Sequence, residues 1–154
     1  MTDSTLQILF VLFAFLVQVL LFINFAARNC KPSLERKYGW LVYALGILAV
    51  ILGILFLLAD QPWYITAAPF VYALWAGLGY YVDIVKQIEW RSPPRWSIFI
   101  PYVVLFIAAQ FLFWVPLWYV DLPLWIIYGV LYFINLGLNI HSHRRSKGQE
   151  NSVS

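Results

Sequence analysis

Five long apolar runs constrain this chain more than any other feature of its sequence. A hydrocarbon core of about 30 Å is crossed by roughly 20 apolar residues in an α-helix, and each run has about that length. Membrane barrels instead use roughly ten-residue segments of alternating polarity. The sequence therefore predicts an all-α, polytopic integral membrane protein, with a single five-helix bundle over residues 1–140. The runs, called spans 1 to 5, are approximately Leu6–Ala27, Tyr38–Ala59, Trp63–Val85, Ser97–Val120 and Pro123–Ile140.

Composition excludes several other classes of protein. Of the residues, 63% are apolar and only 11% are charged, which lies outside the range of soluble domains. The polar, basic stretch 141–154 cannot bury a core, so we expect a disordered cytoplasmic tail there. The net charge of +3 fits attraction to anionic lipid better than binding of nucleic acid.

The ten Lys and Arg residues predict the orientation. Four lie between spans 1 and 2, three between spans 3 and 4, and three in the tail, while the other connections have none. With five spans, these three segments leave the bundle on one side. Because cytoplasmic loops are enriched in Lys and Arg, the N-terminus is predicted outside and the C-terminus in the cytoplasm.

Small residues predict how spans 2 and 3 pack. Gly46, Ala49 and Gly53 form a smooth stripe on span 2, and span 3 offers Ala73 and Gly77. Helices in lipid associate by close packing, which small residues permit. We therefore expect a tight antiparallel hairpin of these two spans.

Two short Asp-x-Pro turns precede spans 3 and 5. They begin at Asp60 and Asp121. Asp is a good N-cap and Pro is tolerated in the first helical turn, so both acids are predicted to cap the helix that follows. Span 3 also contains Asp83, the one formal charge within any span. Either it pairs with Lys86 at the membrane interface, or it is a buried functional acid.

The spans carry aromatic and amide groups but no catalytic set. No nucleophile–base pair, phosphate-binding loop or dinucleotide fingerprint occurs, and His141 and His143 have no further candidate metal ligands nearby. Gln18, near mid-depth, and Asn24, nearer the cytoplasmic end of span 1, are expected to hydrogen-bond between helices, and Gln110 is a second amide near mid-depth. An aromatic cavity with a few polar groups would suit a flat hydrophobic ligand. The ligand-binding residues predicted on this basis are Trp75, Tyr72, Asp83, Gln110, Trp114, Trp118, Tyr128, Tyr132, Asn135 and Asn139.

Several short motifs resemble those of the tryptophan-rich sensory protein/translocator (TspO/MBR) family. They are Lys31-Pro32-Ser33, then Trp40 and Tyr43, Ala73-Leu74-Trp75, and Gly137-Leu138-Asn139. The length, the five spans and the abundance of Trp are also similar. The family's Trp-x-Pro-Pro element does not follow Pro32, where Leu34-Glu35-Arg36 stands. The resemblance implies binding of porphyrin-like or sterol-like ligands inside the bundle.

Two functions are compatible with these features. The first is non-catalytic binding of a tetrapyrrole, sterol, quinone, carotenoid or lipid within the bundle. The alternative is a structural or assembly subunit that packs against other membrane proteins, and a homodimer is a further possible partner arrangement. A lipid-modifying enzyme would need Asp83 as its acid or base. The expected location is a bacterial or archaeal cytoplasmic membrane.

Overall fold

Six α-helices make up the protein in a computed structural model that describes residues 3–88 and 95–150. They are α1 (Asp3–Cys30), α2 (Pro32–Tyr38), α3 (Trp40–Leu58), α4 (Trp63–Gly79), α5 (Trp96–Val120) and α6 (Leu122–Glu150). A π-helical turn, Tyr80–Val85, continues α4. The described residues contain no strand.

Five of these helices are long and apolar enough to cross a membrane, which makes the chain a multi-pass membrane protein. They coincide with the predicted spans to within a few residues at most ends. The exception is α6, which extends to Glu150, although a disordered tail was predicted from residue 141. The stretch 141–150 contains no proline and includes Arg, Lys, Gln and Glu, which favour continuation of a helix already formed. Residues 151–154 of the predicted tail lie outside the described ranges.

The long helices form a closed ring, and α1 touches four partners, namely α2, α3, α5 and α6. Packing is most extensive between α3 and α4, followed by α4 with α5, α1 with α6, and α5 with α6. Further contacts of α1 with α3 and α5 close the bundle. Its centre is aromatic: the Phe10 ring lies 6.2 Å from Phe56 and 5.8 Å from Phe113. Phe13 meets the edge of Tyr72 at 5.9 Å.

The predicted hairpin of spans 2 and 3 is present as α3 and α4, but one of its contacts differs. A Cβ added to Gly46 would lie 3.0 Å from the Cβ of Ala76 and 3.9 Å from the Cα of Ala73. At Gly53 it would lie 2.8 Å from the Phe70 ring. Gly77 is exposed and has no such neighbour within 4 Å, so the small-residue face of α4 is Ala73 and Ala76.

The turn between α3 and α4 ends one helix and does not cap the next. Asp60 has a left-handed φ of 52°, and its N–H donates to Leu57 O at 3.2 Å. The N–H of Gln61 donates to Phe56 O at 3.0 Å. These two bonds define a Schellman motif, which requires a left-handed residue just past the helix. The expected cap on α4 is therefore wrong for Asp60, since α4 has no side-chain cap. Asp121 does accept the N–H of Leu124, at 3.4 Å.

Candidate functional site

An apolar groove lies between α4 and α5 on the outside of the bundle. Its volume is about 510 Å³, within the range of small-molecule sites. Nearly all of its lining is carbon. The lining residues are Trp63 and Tyr64 of α4 and Ala108, Phe111, Leu112, Val115, Pro116 and Tyr119 of α5.

The groove exists because side chains fill the interface between α4 and α5 at one end and leave it open at the other. Farther along α4, the Trp75 ring lies 5.5 Å from Tyr102 and 5.3 Å from Phe106, so large aromatic side chains occupy the helix interface there. At the other end Pro116 lies in the groove wall, where it cannot donate a backbone hydrogen bond to the preceding turn. The side chains at that end do not fill the space between the helices.

The end of the groove formed by Trp63 and Tyr119 is close in sequence to two acids. Trp63 follows Asp60 by three residues, and Tyr119 precedes Asp121 by two. Asp60 and Asp121 therefore lie at one end of the bundle, here called the acidic end. Trp63 is 74% exposed and Tyr119 is 76% exposed. No Lys or Arg occurs in either connection at this end, 59–62 or 121.

A chain of buried hydrogen bonds crosses the bundle through α1, α5 and α6. The Asn135 amide N–H donates to Gln18 Oε1 at 2.6 Å and to the Gln18 carbonyl at 3.1 Å. Gln18 Nε2 donates to Gln110 Oε1 at 2.7 Å, and the Tyr128 hydroxyl donates to the same oxygen at 3.0 Å. Gln110 Nε2 and Asn135 Oδ1 are buried without a protein partner. The predicted interhelical role is confirmed for Gln18, whereas Gln110, which was predicted to bind a ligand, takes part in the same buried chain.

Trp75 and Tyr72 belong to a second cluster, between α3, α4 and α5. Their rings lie 5.4 Å apart, and the Tyr72 hydroxyl donates to Val42 O at 2.6 Å. The Trp75 indole N–H is buried and has no partner. Nearby, the Tyr43 hydroxyl donates to the Asp83 carboxylate, which the π-helical turn holds half-buried. The ammonium of Lys86 lies 5.8 Å from the Tyr81 ring.

Trp114, Trp118 and Tyr132 belong to a third cluster, between α5 and α6. Trp114 stacks on Trp125 with 5.2 Å between ring centroids, and its indole N–H donates to the Trp125 carbonyl at 2.9 Å. Trp118 meets the same ring edge-on at 5.1 Å, and Tyr132 lies 5.9 Å from Trp114. A side chain at Gly129 would collide with Trp114, since an added Cβ would lie 2.6 Å from its ring.

The structure thus divides nine of the ten predicted ligand-binding residues among three clusters and brings none of the ten into the groove. Gln110, Tyr128 and Asn135 share the buried chain, Tyr72 and Trp75 share the second cluster with Asp83 nearby, and the other three aromatics share the third. Asn139 is half-buried near the end of the apolar part of α6.

The groove residues were not predicted as a site. Their only signal in the sequence is an aromatic residue on each side of the acidic end, which is also typical of an interfacial belt.

A metal site receives no support from the side chains that the structure describes. In the described parts of the chain, no three His, Cys, Asp or Glu residues form a group that could hold a metal ion. Comparison of the chain with known protein families, with curated proteins and with solved structures finds no match in any of the three.

Proposed function

We propose that this protein binds a hydrophobic ligand without transforming it, and that the ligand occupies the groove between α4 and α5. The observation that carries the proposal is the groove itself: about 510 Å³ of almost wholly apolar space on a helix pair that is closely packed elsewhere. Because the groove opens on the face of the bundle, an apolar molecule from the bilayer can enter it without dehydrating a polar group.

The position of the groove differs from the site expected inside the bundle. The interior is occupied by the protein's own side chains, because Tyr72, Tyr128 and Gln110 are almost completely buried and hydrogen-bonded. A ligand on the face of the bundle requires no displacement of these groups. Of the candidate ligands, elongated molecules such as a carotenoid or a lipid chain suit a groove between two helices better than a broad macrocycle.

The proposed setting is a cytoplasmic membrane of a bacterium or archaeon, with the basic loops in the cytoplasm. The distribution of Lys and Arg supports this orientation. In this proposed orientation, the acidic end and the mouth of the groove lie in the outer leaflet.

A matched pair of valines tests the proposal. Val115 lines the groove and is 50% exposed, whereas Val130 on α6 lies outside it and is 54% exposed. Protein purified in mild detergent is extracted with organic solvent, and hydrophobic compounds are quantified by mass spectrometry. The wild type and V130W should retain a compound in fixed proportion to protein, and V115W should lose it because the indole fills the groove.

Two results would refute this function. One is that no compound is retained by the wild type and that added carotenoid, quinone, sterol, haem and phospholipid all fail to bind. The other is equal retention by V115W and V130W, provided both variants elute as the wild type does in size-exclusion chromatography.

Assembly with another membrane protein is the second candidate. It is favoured by Gly77 and Gly137, both exposed and both without a neighbour within 4 Å of an added Cβ. Exposed glycines in membrane helices allow the backbone of another helix to approach closely. Crosslinking in native membranes followed by mass spectrometry would favour this function if one partner were recovered in stoichiometric amount and G137L removed it.

A further inference from the structure

The shape of the groove and the charges at its mouth restrict what it can hold. We propose that it holds one hydrocarbon chain of a zwitterionic phospholipid, with the ammonium of the headgroup at the acidic end. This inference rests on the proposed function and names the ligand class of the same site.

The length and width of the groove indicate a single chain. Its wall on α5 runs from Ala108 to Tyr119, which at 1.5 Å per residue is about 16 Å along the helix axis. The other wall is the first turn of α4, contributed by Trp63 and Tyr64. A volume of about 510 Å³ spread along this length makes the groove long and narrow. A flexible chain can follow such a channel, whereas a rigid planar ring system would extend beyond it.

The lining shows which end of the lipid lies where. The deep part of the groove, formed by Ala108, Leu112 and Val115 together with the Phe111 ring, carries no polar side chain and suits hydrocarbon. At the mouth, Trp63, Tyr64 and Tyr119 supply indole and phenol groups, which prefer the headgroup level of a membrane. The polar part of a bound lipid therefore lies at the acidic end.

The charges at the mouth select the headgroup. Asp60 and Asp121 are exposed there, and every Lys and Arg of the sequence lies in the segments that leave the other end. A lipid with net negative charge meets like charge there and no Lys or Arg side chain. A zwitterionic lipid brings an ammonium, which the carboxylates attract and which the exposed faces of Trp63 and Tyr119 can also bind by cation–π contact. An exposed ion pair contributes little in water, so we expect a headgroup preference of about three- to tenfold.

The test is a competition between two phospholipids with identical acyl chains. Full-length protein is reconstituted in nanodiscs containing equal amounts of phosphatidylcholine and phosphatidylglycerol, released, and analysed by native mass spectrometry for retained lipid. The wild type should keep one phosphatidylcholine in about three- to tenfold excess over phosphatidylglycerol. V115W should keep neither.

Two sets of variants separate the charge effect from general binding. The double variant D60N/D121N should retain lipid but lose the headgroup preference. Asn tolerates the left-handed conformation at position 60 and can still accept the N–H of Leu124 at position 121, so both turns are preserved. D83N removes one acidic charge far from the groove, and it should keep the wild-type preference.

The outcomes distinguish this inference from the proposed function. Retention of either lipid without preference, a preference for phosphatidylglycerol, or a preference that survives in D60N/D121N would overturn the headgroup assignment and leave hydrophobic-ligand binding in place. Retention of a pigment or a planar ring compound in place of lipid would have the same effect. If the wild type retains no more lipid than V115W and no other compound, both proposals are refuted.

Discussion

Replacing Gln110 by Leu should destabilise the bundle more than replacing Gln18 by Leu, although both side chains lie in the same buried chain. Gln110 Oε1 accepts two hydrogen bonds, from Gln18 Nε2 and from the Tyr128 hydroxyl. Q110L leaves both donors without this acceptor inside an apolar bundle. Measured side-chain hydrogen bonds between membrane helices average about 0.6 kcal/mol and reach about 1.7 kcal/mol, so two of them predict a loss of about 1–3 kcal/mol.

Gln18 is a different case because both of its partners keep a second bond. After Q18L, Asn135 Nδ2 still donates to the backbone carbonyl of residue 18, and Gln110 Oε1 still accepts from Tyr128. We expect a loss of about 1 kcal/mol or less for Q18L. In the double variant Q18L/Q110L, no Gln18 amide is left buried without its acceptor. The loss of stability should therefore be smaller than the sum of the two single losses.

The free energy of unfolding can be measured by titrating dodecyl sulfate into mild-detergent micelles and following helicity and Trp fluorescence. I107L, a lipid-exposed change on the same helix, serves as the control and should be close to the wild type. If Q110L costs no more than Q18L, or if the two losses add fully, then the shared acceptor does not stabilise the bundle as described.

Two further predictions concern backbone positions. G79A should lower the free energy of unfolding by about 1–3 kcal/mol, because an added Cβ would lie 2.5 Å from the Tyr43 ring. G77A should be neutral or raise that free energy by up to about 1 kcal/mol, because its added Cβ has nothing within 4 Å. Equal effects of the two variants in the same unfolding assay would contradict this packing. D60G should stabilise the protein by about 0.5 kcal/mol, because Gly adopts the left-handed conformation without strain. D121G should destabilise the protein, because it loses the side chain that accepts the N–H of Leu124. A thermal shift of the same sign for both Asp variants would contradict the different roles assigned to the two turns.

The number and limits of the membrane helices could be predicted because bilayer thickness sets the length of an apolar helix. Four of the five spans were predicted to within about three residues of the observed helices. The end of α6 could not be predicted in this way, because hydropathy reports where the apolar residues stop and not where the helix stops. The apolar part does stop at His141, while the helix itself continues.

Details of packing were less predictable, since they depend on rotation about a helix axis. A stripe of small residues was expected at Ala73 and Gly77, but Ala76 faces Gly46 and Gly77 faces outward. Adjacent residues in an α-helix point about 100° apart, so a pattern with small residues at both positions fits either choice. The identity of the contact is decided by the partner helix.

The same limit explains the site. The Trp and Tyr residues of α5 and α6 were expected to surround a ligand, but they stack on one another, as Trp114 does on Trp125. Aromatic side chains at helical spacing fit both arrangements equally well. The groove depends instead on side chains leaving the space between α4 and α5 unfilled at one end. No local sequence pattern encodes this gap.

The π-helical turn has a consequence for how this chain can tolerate change in length. Lys86 N–H reaches back five residues to Tyr81 O, and Ile88 N–H reaches back six residues to Val82 O. This part of the helix therefore holds one residue more than a regular turn would. Insertions or deletions within a membrane helix usually rotate everything beyond them, but here the loss of one residue could be absorbed by reverting to regular α-helix. In that case Asp83 would turn away from the Tyr43 hydroxyl, and their hydrogen bond would be lost.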